Sequence, residues 1–226
     1  MDWWQILLIV LGSIALLIVL TILLYKPIFK RFWDIVLSFF GILFLWLPML
    51  IIAIVIKCDS KGPVLFKQKR IGKKKKIFAV LKFRTMCDHA YEQGGIATSE
   101  SDNRITKVGK FLRRTSLDEI PQLFNIFVGS MSIIGPRPIL DWQYEECKND
   151  KYAPRFDIRP GLFCTIDVTA RNAERDEQFT ADAEYAKKCS MWLDIKTFFG
   201  VIGTVVSGKG VYTDERNSNN DGEKKS

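Results

Sequence analysis

The stretch Arg113-Arg114-Thr115-Ser116-Leu117-Asp118-Glu119-Ile120-Pro121-Gln122-Leu123 combines two arginines, two adjacent carboxylates and the start of a predicted helix. Proline lacks a backbone N–H, so it fits the first turn of a helix, where the N–H groups have no partner within the helix. Pro121 therefore predicts a helix whose N-cap lies near Asp118. In an alternative register Ser116 is the N-cap and Glu119 completes a capping box, but that register strains Pro121.

Both registers place Asp118 at the start of a helix, directly after Arg113 and Arg114. The positive end of the helix dipole keeps a carboxylate ionised there, and with the arginines it attracts the phosphate of a substrate. The alternative is an ordinary Asp N-cap followed by a surface Glu. On this stretch alone the ordinary cap is the more frequent outcome, because Asp is a common N-cap.

Composition divides the chain into two parts. It has 226 residues, a net charge of +8 and 48% hydrophobic residues, and residues 1–56 are almost all hydrophobic. From Lys57 to His89 there are eleven Lys or Arg against two Asp, a surplus that suits an anionic bilayer surface or a phosphorylated substrate better than nucleic acid. Five cysteines without a C-x-x-C motif and a single histidine argue against zinc sites and disulfide frameworks.

Residues 6–24 are nineteen almost uninterrupted apolar residues, enough to cross a bilayer as a helix. Lys26, Lys30 and Arg31 follow this segment, whereas no basic residue precedes it. Because positive charge accumulates on the cytoplasmic side of membrane helices, the N-terminus is predicted to lie outside. We expect a retained transmembrane anchor over residues 1–25 rather than a cleaved signal peptide.

A second apolar run, residues 35–56, carries positive charges at both ends and Pro48 near its middle. By its length it spans the membrane as a Pro-containing helix, which would leave the following domain outside. The flanking charges instead favour a helix that enters from the cytoplasm, bends at Pro48 and returns to the same face. The length, charges and proline of this segment do not decide between a spanning helix and a re-entrant helix. Asp34, at the head of the run, is expected to lie at the interface and to pair with Lys30 or Arg31.

Shorter patterns predict the remaining elements. Residues 64–83 indicate a β-hairpin with a lysine-rich tip, and residues 162–168 indicate a short strand. In Gly135-Pro136-Arg137-Pro138 two prolines hold Arg137 in an extended backbone, which suits a phosphate clamp or a plain turn. A hydrophobic stripe recurs at helical spacing near the C-terminus, where core packing is more common than membrane contact; its members are Trp192, Ile195, Phe199, Ile202 and Val206.

Residues 30–212 resemble the bacterial monotopic phosphoglycosyl transferases, often called bacterial sugar transferases. The motifs that carry the resemblance are Lys30-Arg31-x-x-Asp34, the Pro48 bend, Gly62-Pro63-Val64-Leu65-Phe66-x-Gln68-x-Arg70-Ile71-Gly72, Lys82-Phe83-Arg84-Thr85-Met86, Thr115-Ser116-Leu117-Asp118-Glu119, Met131-Ser132-x-x-Gly135-Pro136-Arg137-Pro138, Arg159-Pro160-Gly161 and Gly210-Val211-Tyr212. Two departures are Leu47, where the family commonly has a small polar residue, and residues 162–170, which replace a Gly-rich stretch and leave the sugar open.

The resemblance implies an enzyme that starts glycan assembly, such as capsule, exopolysaccharide, O-antigen or glycoprotein synthesis. It would move a sugar-1-phosphate from a UDP-sugar to polyprenyl (undecaprenyl) phosphate, release UMP and require Mg²⁺. Asp118 would attack the phosphate that bears the sugar, giving a phosphoglycosyl-aspartate, and would also be a metal ligand. Glu119 would assist as an acid–base group or as a metal-binding and positioning group. The phosphate- and nucleotide-binding arginines would be Arg113, Arg137 and Arg171.

The resemblance also favours the bend at Pro48. The expected fold is an α+β membrane protein of the bacterial inner membrane, with a transmembrane helix (1–25), a re-entrant Pro-kinked helix (26–57), a small cytoplasmic α/β catalytic domain with interfacial helices (58–213) and a disordered tail (214–226). Its expected partners are a UDP-sugar, polyprenyl phosphate and the lipid bilayer, with homo-oligomer formation left open. The alternatives are a catalytically silent protein that binds polyprenyl phosphate or a glycosyltransferase, and a two-span protein whose domain lies outside.

Overall fold

The computed structural model describes residues 2–88, 90, 102–169 and 173–206. The predicted tail over residues 214–226 lies outside this part. Helix α1, Trp3–Leu24, continues through a π-helical turn, Tyr25–Phe29, into helix α2, Lys30–Asp59. Both helices are long and apolar enough to cross a membrane. The apolar side chains of α1 are exposed along its whole length, as expected for a helix that is surrounded by lipid.

The described strands form two small sheets. Strands β1, Leu65–Ile71, and β2, Ile77–Phe83, pair in antiparallel fashion, which confirms the predicted hairpin. A 3-10 turn, Lys73–Lys75, closes its tip. The second sheet pairs β3, Ser132–Ile134, in parallel with β4, Gly161–Phe163.

Helix α3, Lys107–Arg114, is capped by Thr106, and helix α4, Gln122–Val128, ends at a left-handed Gly129. The predicted N-cap at Asp118 is wrong, because α4 starts only after Pro121 and Asp118 lies in a preceding 3-10 turn. Pro121 occupies the cap position itself, where its missing N–H costs nothing.

The Ser116 register is also wrong. Ser116 adopts a left-handed φ of 57° and its side chain caps no backbone N–H. The turn that follows is Leu117–Glu119, held by hydrogen bonds from the Glu119 N–H to the Ser116 carbonyl and from the Ile120 N–H to the Leu117 carbonyl. The chain therefore bends sharply between α3 and α4, and the two acidic residues lie at this bend.

The prediction of a strand over residues 162–168 is right only at its start. β4 ends at Phe163, and the Asp167 carboxylate then accepts a hydrogen bond from the Cys164 N–H at 3.0 Å, which favours a turn over continued strand. The remaining elements are α5, Asp141–Glu146; a 3-10 segment, Asp150–Phe156; α6, Ile166–Thr169; α7, Arg175–Lys188; and α8, Met191–Val206.

Helix α2 packs on the domain through one apolar cluster near its C-terminal end. Met49 and Ile56 of α2 meet Phe83 of the hairpin and Leu112 of α3, all of them buried. Burial of a side chain of this size stabilises a fold by about 1.5–3 kcal/mol. The cluster therefore fixes the second half of α2, just after Pro48, against the elements that flank the acidic bend.

The first half of α2 is fixed by polar contacts. Asp34 is buried and its Oδ1 accepts hydrogen bonds from Ser132 Oγ and the Ile133 N–H, both at 2.9 Å. The predicted pairing of Asp34 with Lys30 or Arg31 is therefore wrong. A buried carboxylate needs several donors, and the edge of β3 supplies two of them.

The two basic residues next to Asp34 have other partners. Lys30 pairs with Asp194 of α8. Arg31 donates to the carbonyls of Ile126 and Phe127 at 2.6 and 2.8 Å, which caps the C-terminal end of α4. Contacts between α2 and the domain thus run from Arg31 to the end of the helix.

The C-terminal stripe does not form core. On α8 the exposed fractions are 75% for Trp192 and 66% for Phe199, and Ile195 and Ile202 are exposed as well. The expectation that core packing prevails is therefore wrong. A stripe with this helical spacing can pack in a core or face lipid. The sequence does not distinguish these two environments, whereas the position of α8 on the outside of the domain does.

Candidate active site

The acidic bend between α3 and α4 opens onto a small cleft of about 70 Å³. Four parts of the chain line it: the two strands of the hairpin, the acidic bend, the segment after β3, and β4. Its lining residues are Arg70, Val80, Lys82, Glu119, Gln122, Arg137, Pro138, Gly161, Leu162 and Cys164. Three of the ten are cationic, so the cleft suits an anionic ligand.

Glu119 is held by the hairpin. Lys82, near the end of β2, donates to Glu119 Oε1 at 2.6 Å, and both side chains are partly exposed. The contact joins residues 37 positions apart. It fixes the Glu119 carboxylate at the edge of the cleft and places a positive charge beside the acidic pair.

Asp118 lies next to this pair. Burial and the neighbouring Glu119 carboxylate raise the pKa of Asp118, Lys82 and Arg113 lower it, and the net result is a pKa of about 6. The carboxyl is therefore mostly ionised at pH 7 but titrates close to neutrality. A partly desolvated carboxylate among cations is a better nucleophile than a fully hydrated one.

Arg113 lies near Asp118, and Arg137 lies near Glu119. Arg113, in the last turn of α3, donates from Nε to Thr85 Oγ1 at 2.9 Å. Arg137 lines the cleft and donates from Nη2 to Asp167 Oδ1 at 2.6 Å, with about half of its side chain exposed. Of the predicted site residues, Glu119 and Arg137 line the cleft. Asp118 and Arg113 do not line it, but Asp118 lies close to both Glu119 and Arg113.

The backbone of Arg137 is clamped by a buried ion pair. Its N–H donates to the Asp182 carboxylate at 3.2 Å, and its carbonyl accepts from Arg155 Nη2 at 2.8 Å. Arg155 and Asp182 pair at 2.6 Å, and both side chains are 2% exposed. Arg137 thus projects into the cleft from a backbone that two charged groups hold rigidly.

Arg171, the third predicted arginine, lies outside the described residues. Pro48 lies within the continuous helix α2, away from the residues that line the cleft. The described part of the chain contains no group of three or more His, Cys, Asp or Glu side chains able to hold a metal ion. A Mg²⁺ ion bound through one or two carboxylates and substrate phosphates does not need such a group, so Asp118 beside Glu119 fits this ion.

Sequence reasoning missed several residues of this site. Lys82 begins the motif Lys82-Phe83-Arg84-Thr85-Met86, but its position in the sequence does not indicate a contact with Glu119. Asp167, which pairs with Arg137, and the Arg155–Asp182 pair carry no local pattern, because their partners are far along the chain. A buried charge can be recognised only once its surroundings are known.

Comparison with known proteins assigns most of the chain to one family. The family model described as "Bacterial sugar transferase" matches residues 25–208. This range covers α2, both sheets, the acidic bend and every residue that lines the cleft.

Three relatives are similar over most of this chain. A UDP-glucose:undecaprenyl-phosphate glucose-1-phosphate transferase from Klebsiella pneumoniae is 37% identical over 76% of this chain and 39% of the relative. A UDP-N-acetylgalactosamine-undecaprenyl-phosphate N-acetylgalactosaminephosphotransferase from Aeromonas hydrophila is 36% identical over 83% and 47%. The exopolysaccharide production protein PSS from Rhizobium leguminosarum bv. phaseoli is 38% identical over 81% and 98%. The chain therefore spans less than half of the first two relatives and nearly all of the third.

Proposed function

The chain belongs to the bacterial sugar transferase family, and we propose that it transfers a sugar-1-phosphate from a UDP-sugar to polyprenyl phosphate with release of UMP. The observation that carries the proposal is the setting of Asp118: a partly desolvated carboxylate next to Glu119, with Lys82 and Arg113 close enough to lower its pKa. The names of the Klebsiella and Aeromonas relatives state reactions of this kind.

In the first step, an Asp118 carboxylate oxygen attacks the phosphorus that carries the sugar. A new P–O bond forms to Asp118, the bond to the bridging oxygen of the diphosphate breaks, and UMP leaves with that electron pair. In the second step, a phosphate oxygen of polyprenyl phosphate attacks the same phosphorus and the bond to Asp118 breaks. The carboxylate is regenerated, and the product is polyprenyl-diphosphate-sugar.

The cations of the cleft stabilise the charge that develops on the phosphoryl oxygens. Arg137 is suited to this role because its guanidinium lines the cleft while its backbone is clamped. Lys82 holds Glu119, which positions the substrate or moves a proton. Asp118 is the residue that would hold a Mg²⁺ ion, and such an ion would supply further neutralisation of negative charge.

The contacts of α2 support a membrane placement that gives the site access to a lipid substrate. A helix of 30 residues is about 45 Å long, and α2 contacts the domain at Arg31, Asp34, Met49 and Ile56. A helix that crossed the bilayer and emerged on the far side would lose one of these sets of contacts. We therefore propose that α2 enters and leaves the membrane on the cytoplasmic face, with its bend at Pro48.

A donor panel tests the proposed reaction. Purified protein in lipid nanodiscs is incubated with polyprenyl phosphate, Mg²⁺ and individual UDP-sugars, and UMP and the lipid product are quantified. At least one donor is expected to give both products in equal amounts. Folded protein that releases no UMP with any donor contradicts the proposal and favours the catalytically silent alternative.

The pH dependence of the first step follows from the pKa of Asp118. Only the ionised carboxylate attacks, and with a pKa of about 6 its ionised fraction rises about tenfold between pH 5 and pH 7. The rate of UMP release with donor alone is therefore expected to rise about tenfold over this range. An ordinary Asp would already be ionised at pH 5 and would give a flat profile.

Lys82→Met provides the control for this profile. Lys82 is the strongest influence that lowers the pKa of Asp118, so its removal is expected to move the midpoint of the profile to higher pH at a fixed Mg²⁺ concentration. A midpoint that stays in place, or moves to lower pH, contradicts the assignment of the titration to Asp118.

Cysteine labelling tests the membrane placement of α2. Cys58 and Cys87 are exposed, whereas Cys147 and Cys164 are buried, and burial raises the pKa of both buried thiols. A membrane-impermeant maleimide therefore distinguishes the exposed pair. Cys189 is partly exposed, so it is removed together with Cys87. In this Cys87→Ser, Cys189→Ser background, Cys58 lies in the last turn of α2 and an introduced Lys26→Cys lies just before its first residue. Both are expected to react only after cell lysis; reaction of one of them in intact cells shows that α2 spans the membrane.

A further inference from the structure

A second pocket, of about 310 Å³, lies between α2, β3 and α8. This volume is within the range of about 300–1,000 Å³ that is typical of ligand sites. Its walls are almost entirely apolar and include Trp33, Leu37, Ile133, Met191, Ile195 and Phe199. None of its lining residues also lines the cleft beside Glu119, so it is a separate site.

The polar groups at the base of this pocket already form hydrogen bonds within the protein. Asp194 accepts hydrogen bonds from Tyr25 at 2.6 Å and from Lys30 and Tyr185 at 2.5 Å each. Asp34 accepts from β3, as described above. The base therefore holds two carboxylates against one ammonium group, and this balance disfavours a phosphate or any other anion.

The mouth of the pocket is continuous with a surface that faces lipid. Trp33 and Leu37 of α2 and Ile195 and Phe199 of α8 are all exposed at its rim. On α2 this exposed face continues along the apolar run of the membrane helix. Residues 207–226, which follow α8, are rich in charged and polar residues and are chemically unsuited to fill an apolar pocket.

We propose that this pocket binds a hydrocarbon chain of a membrane phospholipid, with the headgroup left outside. The chain would bury the apolar walls between α2 and α8 that otherwise face water or a void. It would hold α8 against α2 and so fix the depth of the domain at the membrane surface. The proposal does not depend on the chemistry of Asp118.

The test measures phospholipid that stays with the full-length protein. The protein is extracted in a mild detergent, exchanged exhaustively into fresh detergent, and the retained lipids are quantified by mass spectrometry. About one phospholipid per chain is expected, as for a pocket that holds a single ligand. Leu37→Trp places a large side chain in the pocket. If the tryptophan displaces two methylene groups of the lipid chain from the pocket, binding weakens about tenfold. The amount of retained lipid is therefore expected to fall about tenfold.

Leu43→Trp is the matched control, because Leu43 is an exposed residue of α2 that does not line the pocket. It is expected to retain lipid like the wild type. Ile195→Trp fills the pocket from the side of α8. It is used in place of Leu37→Trp if the melting temperature of Leu37→Trp is lower than that of Leu43→Trp.

Several outcomes overturn the proposal. Retention of no lipid by the wild type, or equal loss in Leu43→Trp, shows that the pocket is not the binding site. Retention of polyprenyl phosphate in place of phospholipid shows that it is a substrate site. Conversion of a dimer to a monomer by Leu37→Trp, with unchanged lipid, shows that a second copy covers it.

Discussion

Asp118→Asn is expected to abolish sugar-phosphate transfer. The amide keeps the size and most hydrogen bonds of the carboxylate but cannot act as the nucleophile, and loss of a nucleophile typically costs about 10³–10⁶-fold in rate. The measurement is UMP release from the donor that the wild type uses. Asp141→Asn, at an exposed carboxylate of α5, is the matched control and is expected to leave the rate unchanged.

Glu119→Gln separates the two members of the acidic pair. Glu119 is paired with Lys82 and is not asked to form a bond to phosphorus, so its loss is expected to cost about 10²–10⁴-fold, the range of acid–base groups. With donor alone, this variant is expected to gain the mass of a sugar-phosphate at residue 118, only more slowly than the wild type.

The adduct decides between a covalent and a direct mechanism. Wild-type protein incubated with donor and no acceptor is expected to carry one sugar-phosphate, and peptide mapping is expected to place it on Asp118. An adduct on another residue, or full activity in Asp118→Asn, contradicts the proposed mechanism. An inactive wild type that still binds polyprenyl phosphate supports the silent alternative.

The sequence predicted those features that depend on neighbouring residues. The hairpin follows from two β-like runs about a turn apart, because that signal is local. The two apolar helices likewise follow from uninterrupted composition. The start of α4 was placed wrongly because Asp118, Ser116 and Pro121 are all compatible with a helix start, and only the bend after α3 selects among them.

The parts that sequence could not predict depend on distant partners. Asp34 was expected to pair with a neighbour on its own helix, but the edge of β3 provides two donors in better positions. Lys30 is then free to pair with Asp194, which lies 164 positions away. Local spacing contains no information on such partners. The sequence was sufficient to identify the candidate carboxylates. It was not sufficient to identify the side chains that pair with them and shift their pKa values.

Asp182→Asn is expected to destabilise the protein strongly. It leaves Arg155 as a buried charge without its carboxylate partner, and breaking a buried ion pair in this way typically costs about 3–5 kcal/mol. For a chain of this size that lowers the melting temperature by about 6–20 °C. The measurement is thermal unfolding of the purified protein. Glu184→Gln, on the same helix in an exposed pair with Lys188, is expected to change stability by less than about 1 kcal/mol.

A double variant tests whether the pair also positions Arg137. Replacing both charges, in Arg155→Met with Asp182→Leu, removes the unpaired charge and is expected to recover much of the stability, since apolar replacements of buried pairs are often neutral. Arg137 would still lack the two contacts to its backbone, so transfer is expected to stay impaired, as it would in Arg137→Lys. Recovery of transfer together with stability contradicts a positioning role, because the pair would then serve the fold alone.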